Sequence, residues 1–207
     1  VKFAEINQND IVLDLACGTG AVLNEVVKQM YDNSRGDHIS DIATLVVGID
    51  ISRVALSIAK LSRYHRFPKS FFIEMDSENL GFRNDSFNKI LCQFGLMFFP
   101  NAVHVIKQLK DLLIRGGKLV ISVHGTSEVV PYFSCIMNSI LKYIPDIRPK
   151  GNPSVHTFGN PDDLYNLLEN ASFHNISIKK YTFLYQAVLL MSIGPTISHL
   201  LQIQYVQ

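Results

Sequence analysis

The stretch that decides the fold is Val12-Leu13-Asp14-Leu15-Ala16-Cys17-Gly18-Thr19-Gly20, followed at once by Val22, Val26, Val27 and Met30 at helical spacing. A strand that passes through a glycine bend into a helix opens a strand-helix-strand unit. The pattern recurs downstream. Leu45 to Ile49, Ser70 to Ile73, Lys89 to Phe94 and Lys118 to Val123 are short, β-branched-rich runs with polar punctuation, as strands covered on both faces should be. Between them Val54, Ile58 and Leu61, then Val103, Ile106, Leu109 and Leu113, predict helices, with Ser52 and Asn101 at N-cap positions and Gly116 just past the last. Such alternation implies right-handed crossovers on a parallel sheet. The expected class is α/β, doubly wound and mostly parallel.

Beyond the fifth strand the rhythm loosens. A helical stretch spans Val129 to Tyr143, and a loop follows that holds Pro145, Pro149, Gly151 and Pro153. Asn160-Pro161-Asp162-Asp163 opens another helix with a cap, a proline at the first position and two carboxylates that complement the dipole. Asn175 to Tyr185 alternates as a sixth strand would. From Tyr181 onward no Asp, Glu, Lys or Arg occurs, but Gln186, Gly194-Pro195, His199 and Gln202 interrupt the run too often for a membrane span. Tyr31 to Ala43 lengthens the first crossover and is expected to be a solvent loop.

At 207 residues, 47% hydrophobic and 18% charged, the chain suits one globular domain and neither a disordered nor a membrane-embedded protein. Its 19 Lys plus Arg against 18 Asp plus Glu set up no long-range field for nucleic acid or anionic lipid. Cys17, Cys92 and Cys135 match neither a zinc spacing nor a disulfide framework, so no metal site is expected and a reducing, cytoplasmic setting is.

The chemistry is concentrated at the carboxyl ends of the strands, where doubly wound sheets hold their ligands. Gly18 and Gly20 allow close backbone approach, and the helix behind them attracts a negative group. Asp50 ends the second strand, where a carboxylate can accept both hydroxyls of a ribose. Asp76 follows the third. Three acids on one rim repel each other and lose solvation, a poor arrangement unless a ligand supplies donors. A nicotinamide dinucleotide fits badly: Leu23 stands where its fingerprint asks for glycine or alanine, and Asp14 would repel a pyrophosphate. A ligand with one amine, one carboxylate, a ribose and a purine amino group fits, and S-adenosylmethionine has those groups.

At this point the sequence resembles the class I S-adenosylmethionine-dependent methyltransferases, particularly those similar to quinone-biosynthesis C-methyltransferases. The resemblance rests on Val12 to Gly20, Gly48 to Ile51, Asp76 to Leu80, Asp85-Ser86-Phe87, Phe94 to Phe99 and Arg115 to Leu119. It implies that Asp14, Ala16, Gly18 and Gly20 serve the methionine end, with Gln93 beside it, that Asp50 takes the ribose and that Ile51 packs on the adenine. Asp76 and the Ser77 N–H would then read the adenine amino edge. The resemblance also implies an upstream helical segment and a last antiparallel strand inserted between the fifth and sixth. Neither is legible: Val188 to Gln207 reads as the insertion before that strand, and the strand itself is expected to be missing. Residues 1–207 are therefore expected to be one domain shortened at both ends, with a cofactor-binding part at 8–125 and a substrate side at 126–207.

His124, at the end of the fifth strand, is the one candidate general base, with a substrate-lining or structural histidine as the plainer reading. Phe94, Met97, Phe98, Tyr132 and Phe133 could line an apolar acceptor site or belong to the core. Lys60, Arg63, His65, Arg66 and Lys69 read as a solvated helix end. The leading function is methyl transfer to O, N or C of a small molecule. A silent partner module that keeps the fold is the alternative, disfavoured by the intact acid rim.

Overall fold

The computed structural model describes residues 1–33, 44–62, 69–147, 152–185 and 196–204. Strands β1 (Ile11–Leu15), β2 (Leu45–Asp50), β3 (Ser70–Glu74), β4 (Phe87–Gln93), β5 (Leu113–His124), β6 (Ser177–Tyr185) and β7 (Thr196–Gln204) form one sheet. Helices α1 (Ala21–Asn33), α2 (Arg53–Ser62) and α3 (Ala102–Leu112) follow the first, second and fourth strands, and α4 (Pro131–Leu141) and α5 (Pro161–Glu169) lie between β5 and β6. Residues 34–43 of the expected loop, together with Arg63, His65, Arg66, Pro149, Gly151, Gln186 and Gly194-Pro195, lie outside the described residues. Helix α1 itself runs to Asn33, into the stretch expected as loop.

The order across the sheet is β3-β2-β1-β4-β5-β7-β6, parallel from β3 to β5 and antiparallel at β5-β7 and β7-β6. The order reverses between β1 and β4, and a crevice opens at such a switch point beyond the carboxyl ends. Alternate residues of each strand feed two cores. Val12, Val46, Leu91 and Val120 meet α1 and α2 through Leu23, Val26, Met30 and Leu56. Leu13, Leu15, Ile49, Ile90 and Ile121 meet α3 and α5 through Val105, Ile106, Leu109, Leu164 and Leu168. Each such side chain contributes roughly 1.5–3 kcal/mol of burial, and together they fix the register that brings the strand ends level.

The expected caps form. The Ser52 hydroxyl accepts from Ala55 N at 3.2 Å, Asn101 from His104 N at 3.1 Å and Asn160 from Asp162 N at 3.1 Å. Two expectations are corrected. β5 starts at Leu113, ahead of the Gly116-Gly117 pair, because Leu113 already pairs with Phe87 and an irregularity in the β4-β5 register absorbs the glycines. The last antiparallel strand, expected to be missing, is present: Thr196–Gln204 runs between β5 and β6 and is paired on both edges. Interior position explains why the sequence hid it. A strand bonded on both sides is held by its backbone ladders, so its charge-free but irregular Ser, His and Gln pattern need not alternate cleanly.

At the opposite, amino end of the sheet, Lys89 and Lys118 are register partners on β4 and β5 and both are buried. Asp10 lies 4.0 Å from Lys89, and Glu5 pairs with Lys118. Burial first, and then the neighbouring ammonium against the attraction of Asp10, holds Lys89 below the usual lysine range.

Candidate functional site

The bend after β1 shapes the site. Ala16 and Gly18 both take left-handed backbone, φ 54° and 53°. A Cβ on Gly18 would meet nothing within 4 Å, so this glycine faces open space. Gly20 does the opposite: it is buried, and a Cβ there would stand 3.2 Å from Ala59 and Phe72. It closes the turn onto α2 and does not line the cleft.

A cleft of about 440 Å³ opens over the bend, lined by Ala16, Asp50, Ile51, Asp76, Ser77 and Glu78 on one side. Phe94, Gly95, Phe98, Phe99 and Pro100 line the other. Five residues expected at the cofactor therefore meet here: Ala16, Asp50, Ile51, Asp76 and Ser77. Asp50 is oriented from both sides. Its Oδ2 accepts from Gly18 N and its Oδ1 from Ser52 N, each at 2.8 Å, which leaves one lone pair on each oxygen. Ile51 is 72% exposed, a large apolar surface left at the mouth of a cleft. Asp76 accepts from Glu78 N at 2.9 Å and from the Asn79 side chain at 3.0 Å.

The loop that carries Asp76 and Ser77 is fastened from α3. The Gln108 amide donates to Glu78 O and accepts from Leu80 N, both at 3.0 Å, while a Glu78 carboxylate oxygen accepts from Asn101 N at 2.5 Å. No local motif announces Gln108 or Glu78, since both act across the gap between the third strand and the third helix. Gly95 is the other element missed. A Cβ there would lie 2.7 Å from Ala16 Cβ and 2.9 Å from Cys92 Sγ, so the loop after β4 touches the glycine bend only because this residue has no side chain.

Asp14 stands behind the bend, only 1% exposed and outside the cleft lining. Its Oδ2 accepts from Leu23 N at 3.0 Å, in the first turn of α1, and its Oδ1 has no partner among the described residues. Burial pushes its carboxyl up to about 7, against the Leu23 hydrogen bond and with help from Asp50. Gln93, at the end of β4, is exposed and borders a separate small depression with Val22 and Ser122. Cys17 is buried, and burial followed by Asp14 and Asp50 raises its thiol well above the usual range, which removes it as a nucleophile.

At the end of β5, His124 is half-buried and stacked on Phe94, with centroids 4.5 Å apart at 18°, and it meets Phe133 of α4 at 4.9 Å. Its Nδ1 is buried without a partner among the described residues. Burial, then the neighbouring His156, holds it below the usual histidine range, so the ring is neutral at pH 7. Met97 is buried in the core and Phe98 is 51% exposed at the cleft, so those two readings divide.

A family model described as "Methyltransferase domain" matches residues 6–182, a span that contains every residue of the cleft. The chain belongs to this methyltransferase family. The methyltransferase is 24% identical over 193 residues to a demethylmenaquinone methyltransferase of Staphylococcus haemolyticus, covering 88% of this chain and 76% of that protein. It is 25% identical over 187 residues to a 2-phytyl-1,4-naphthoquinone methyltransferase of Thermosynechococcus vestitus, covering 85% and 77%. In fold it is similar to a SAM-dependent methyltransferase of Methanosarcina mazei, with TM-score 0.62, 18% identity and 97% and 94% coverage. S-adenosylmethionine is accordingly the cofactor of this enzyme. The residues present fit it: an orphaned buried carboxylate oxygen on Asp14, an open cradle at Gly18 and an oriented carboxylate at Asp50 are what an amine, a carboxylate and a ribose require. Among the described residues no helix is long and apolar enough to cross a membrane.

Proposed function

We propose that this enzyme methylates a planar, conjugated small molecule, held between the cleft and the aromatic wall at the end of β5. Bound in the cleft, S-adenosylmethionine would supply an electrophilic methyl group: an electron pair of the acceptor forms the new bond, the carbon–sulfur pair stays on sulfur and the acceptor gives up a proton. The chain's own part is to bind, orient and exclude water. Asp50 takes the ribose hydroxyls with its two free lone pairs. Ile51 covers one adenine face, Asp76 accepts from the adenine amino group and the Ser77 N–H lies beside it. The backbone of Ala16 and Gly18 cradles the methionine end. Asp14 offers the amine its unpartnered oxygen from behind the bend and Gly20 supports the bend, while Gln93, which borders a separate depression, takes no part.

The observation that carries this reading is the pairing of an oriented, incompletely satisfied carboxylate at Asp50 with an exposed apolar neighbour at Ile51 in one cleft. Calorimetry with S-adenosylhomocysteine and with NAD tests it. The first should bind and the second should not. Asp50→Ala should weaken S-adenosylhomocysteine about tenfold or more, since each hydrogen bond to a charged group contributes roughly 1.5–3 kcal/mol. Unchanged affinity in Asp50→Ala would remove the ribose from this position.

Two features support a flat acceptor. Phe94 lines the cleft and continues into an aromatic cluster with His124 and Phe133, and the relatives named above act on demethylmenaquinone and 2-phytyl-1,4-naphthoquinone. His124, neutral and with Nδ1 unserved, takes the acceptor proton or a hydrogen bond from its hydroxyl. Residues 8–125 then act as the cofactor part and 126–207 as the acceptor side of one domain. A cytoplasmic setting is part of the same proposal, supported by three cysteines that are all free.

A further inference from the structure

Helix α4 supplies Phe133 to the acceptor wall, yet none of its residues is fully buried. A helix without a buried stripe depends on directional contacts for its position. One such contact is made by His156, in the loop before α5. That loop is seated closely on the end of β5: a Cβ on Gly159 would fall 2.6 Å from the Gly125 backbone, so only glycine fits. The His156 turn is itself ordered by hydroxyls, with His156 N donating to Ser154 Oγ at 3.0 Å and Ser154 N to Thr157 Oγ1 at 2.7 Å.

The ring bridges two elements. Nδ1 lies 2.9 Å from Gly125 O, and Nε2 lies 3.0 Å from Ser134 Oγ on the first turns of α4. A carbonyl oxygen can only accept, so Nδ1 carries a hydrogen. Ser134 Oγ also stands 3.3 Å from Ser127 O, which gives its single proton two acceptors. We propose that His156 is a positioning residue that fastens α4 to the end of β5 and thereby holds Phe133 against His124. The proposal rests on the acceptor wall described above.

With its hydrogen on Nδ1, the ring accepts at Nε2 from Ser134 Oγ, so one side chain ties α4 to the backbone at the end of β5 through two hydrogen bonds.

Hydrogen exchange on the whole chain, corrected for intrinsic rates, reads the clamp without any acceptor. The amides of residues 131–141 should be protected from exchange in the unmodified protein. In Ser134→Ala and His156→Ala their protection should drop about tenfold, the scale of one lost hydrogen bond. His156→Asn, whose amide can still donate to Gly125 O but falls short of Ser134, should keep the loop protected and leave α4 loose. Equal α4 exchange in the unmodified protein and in Ser134→Ala overturns the proposal. Ser134 is partly exposed, so that variant decides the matter even if His156→Ala fails to fold. Calorimetry with S-adenosylhomocysteine on the same samples separates the two readings: lost cofactor affinity in the unmodified protein refutes the cleft, whereas unchanged α4 exchange with affinity intact refutes the clamp alone.

Discussion

Replacing Asp14 by Asn removes the one carboxylate that the fold buries behind the glycine bend while keeping an oxygen to accept from Leu23 N. In the folded chain burial has moved this carboxyl from 3.8 to about 7. Folded pKa above unfolded pKa means that the native state holds the proton more tightly. Its stabilising effect is thus complete below about pH 3.8 and is lost as pH rises through about 7, a total of at most about 4 kcal/mol at 1.36 kcal/mol per unit. Between about pH 5 and about pH 8 the linkage relation gives a fall of roughly 2.5 kcal/mol. The amide of Asp14→Asn cannot titrate, so the stability of that variant should not fall over that range from this source. An amide nitrogen facing the place of the unpartnered Oδ1 costs about 1–3 kcal/mol, so the absolute stability at high pH is a poor readout and the slope is a good one. Urea melts of both proteins across this range, without ligand, measure the slope directly. Identical slopes would refute the burial argument. The same variant should bind S-adenosylhomocysteine more weakly, because the amine loses a carboxylate.

Gly95→Ala should weaken S-adenosylhomocysteine and destabilise the chain by about 1–3 kcal/mol, since the new Cβ collides with Ala16 and Cys92; equilibrium melts and calorimetry that match the unmodified protein would contradict this close approach. His124→Asn should remove an acid limb from the pH–rate profile that lies below the ordinary histidine range, because activity rises as the buried ring loses its proton; methyl transfer with an unchanged rate and profile would exclude His124 from proton transfer.

The parallel half of the sheet was legible because strands covered on both faces must be apolar throughout, and the first helices carry caps and spacing that need no tertiary context. β7 was not, since its formation depends on β5 and β6 flanking it. At the site, Ala16, Asp50, Ile51, Asp76 and Ser77 all belong to the ends of the first three strands, where parallel register alone brings them level. Gly20, in the glycine bend, and Gln93, at the end of β4, face packing and a separate depression, a matter of side-chain direction that spacing does not encode. Gly95, Gln108 and His156 reach Ala16, Leu80 and Ser134, 22 to 79 positions away, and nothing local marks them.

The contact between Ala16 and Gly95 has a consequence for how such sequences drift. Ala16 holds a left-handed backbone that costs an L-residue roughly 1–2 kcal/mol, and its methyl group occupies the space a methyl on residue 95 would need. The two sites share room for a single carbon. Glycine at 16 would relax the backbone and free half of the obstruction, leaving Cys92 to turn aside, so a methyl group at 95 should be tolerated only where residue 16 is glycine.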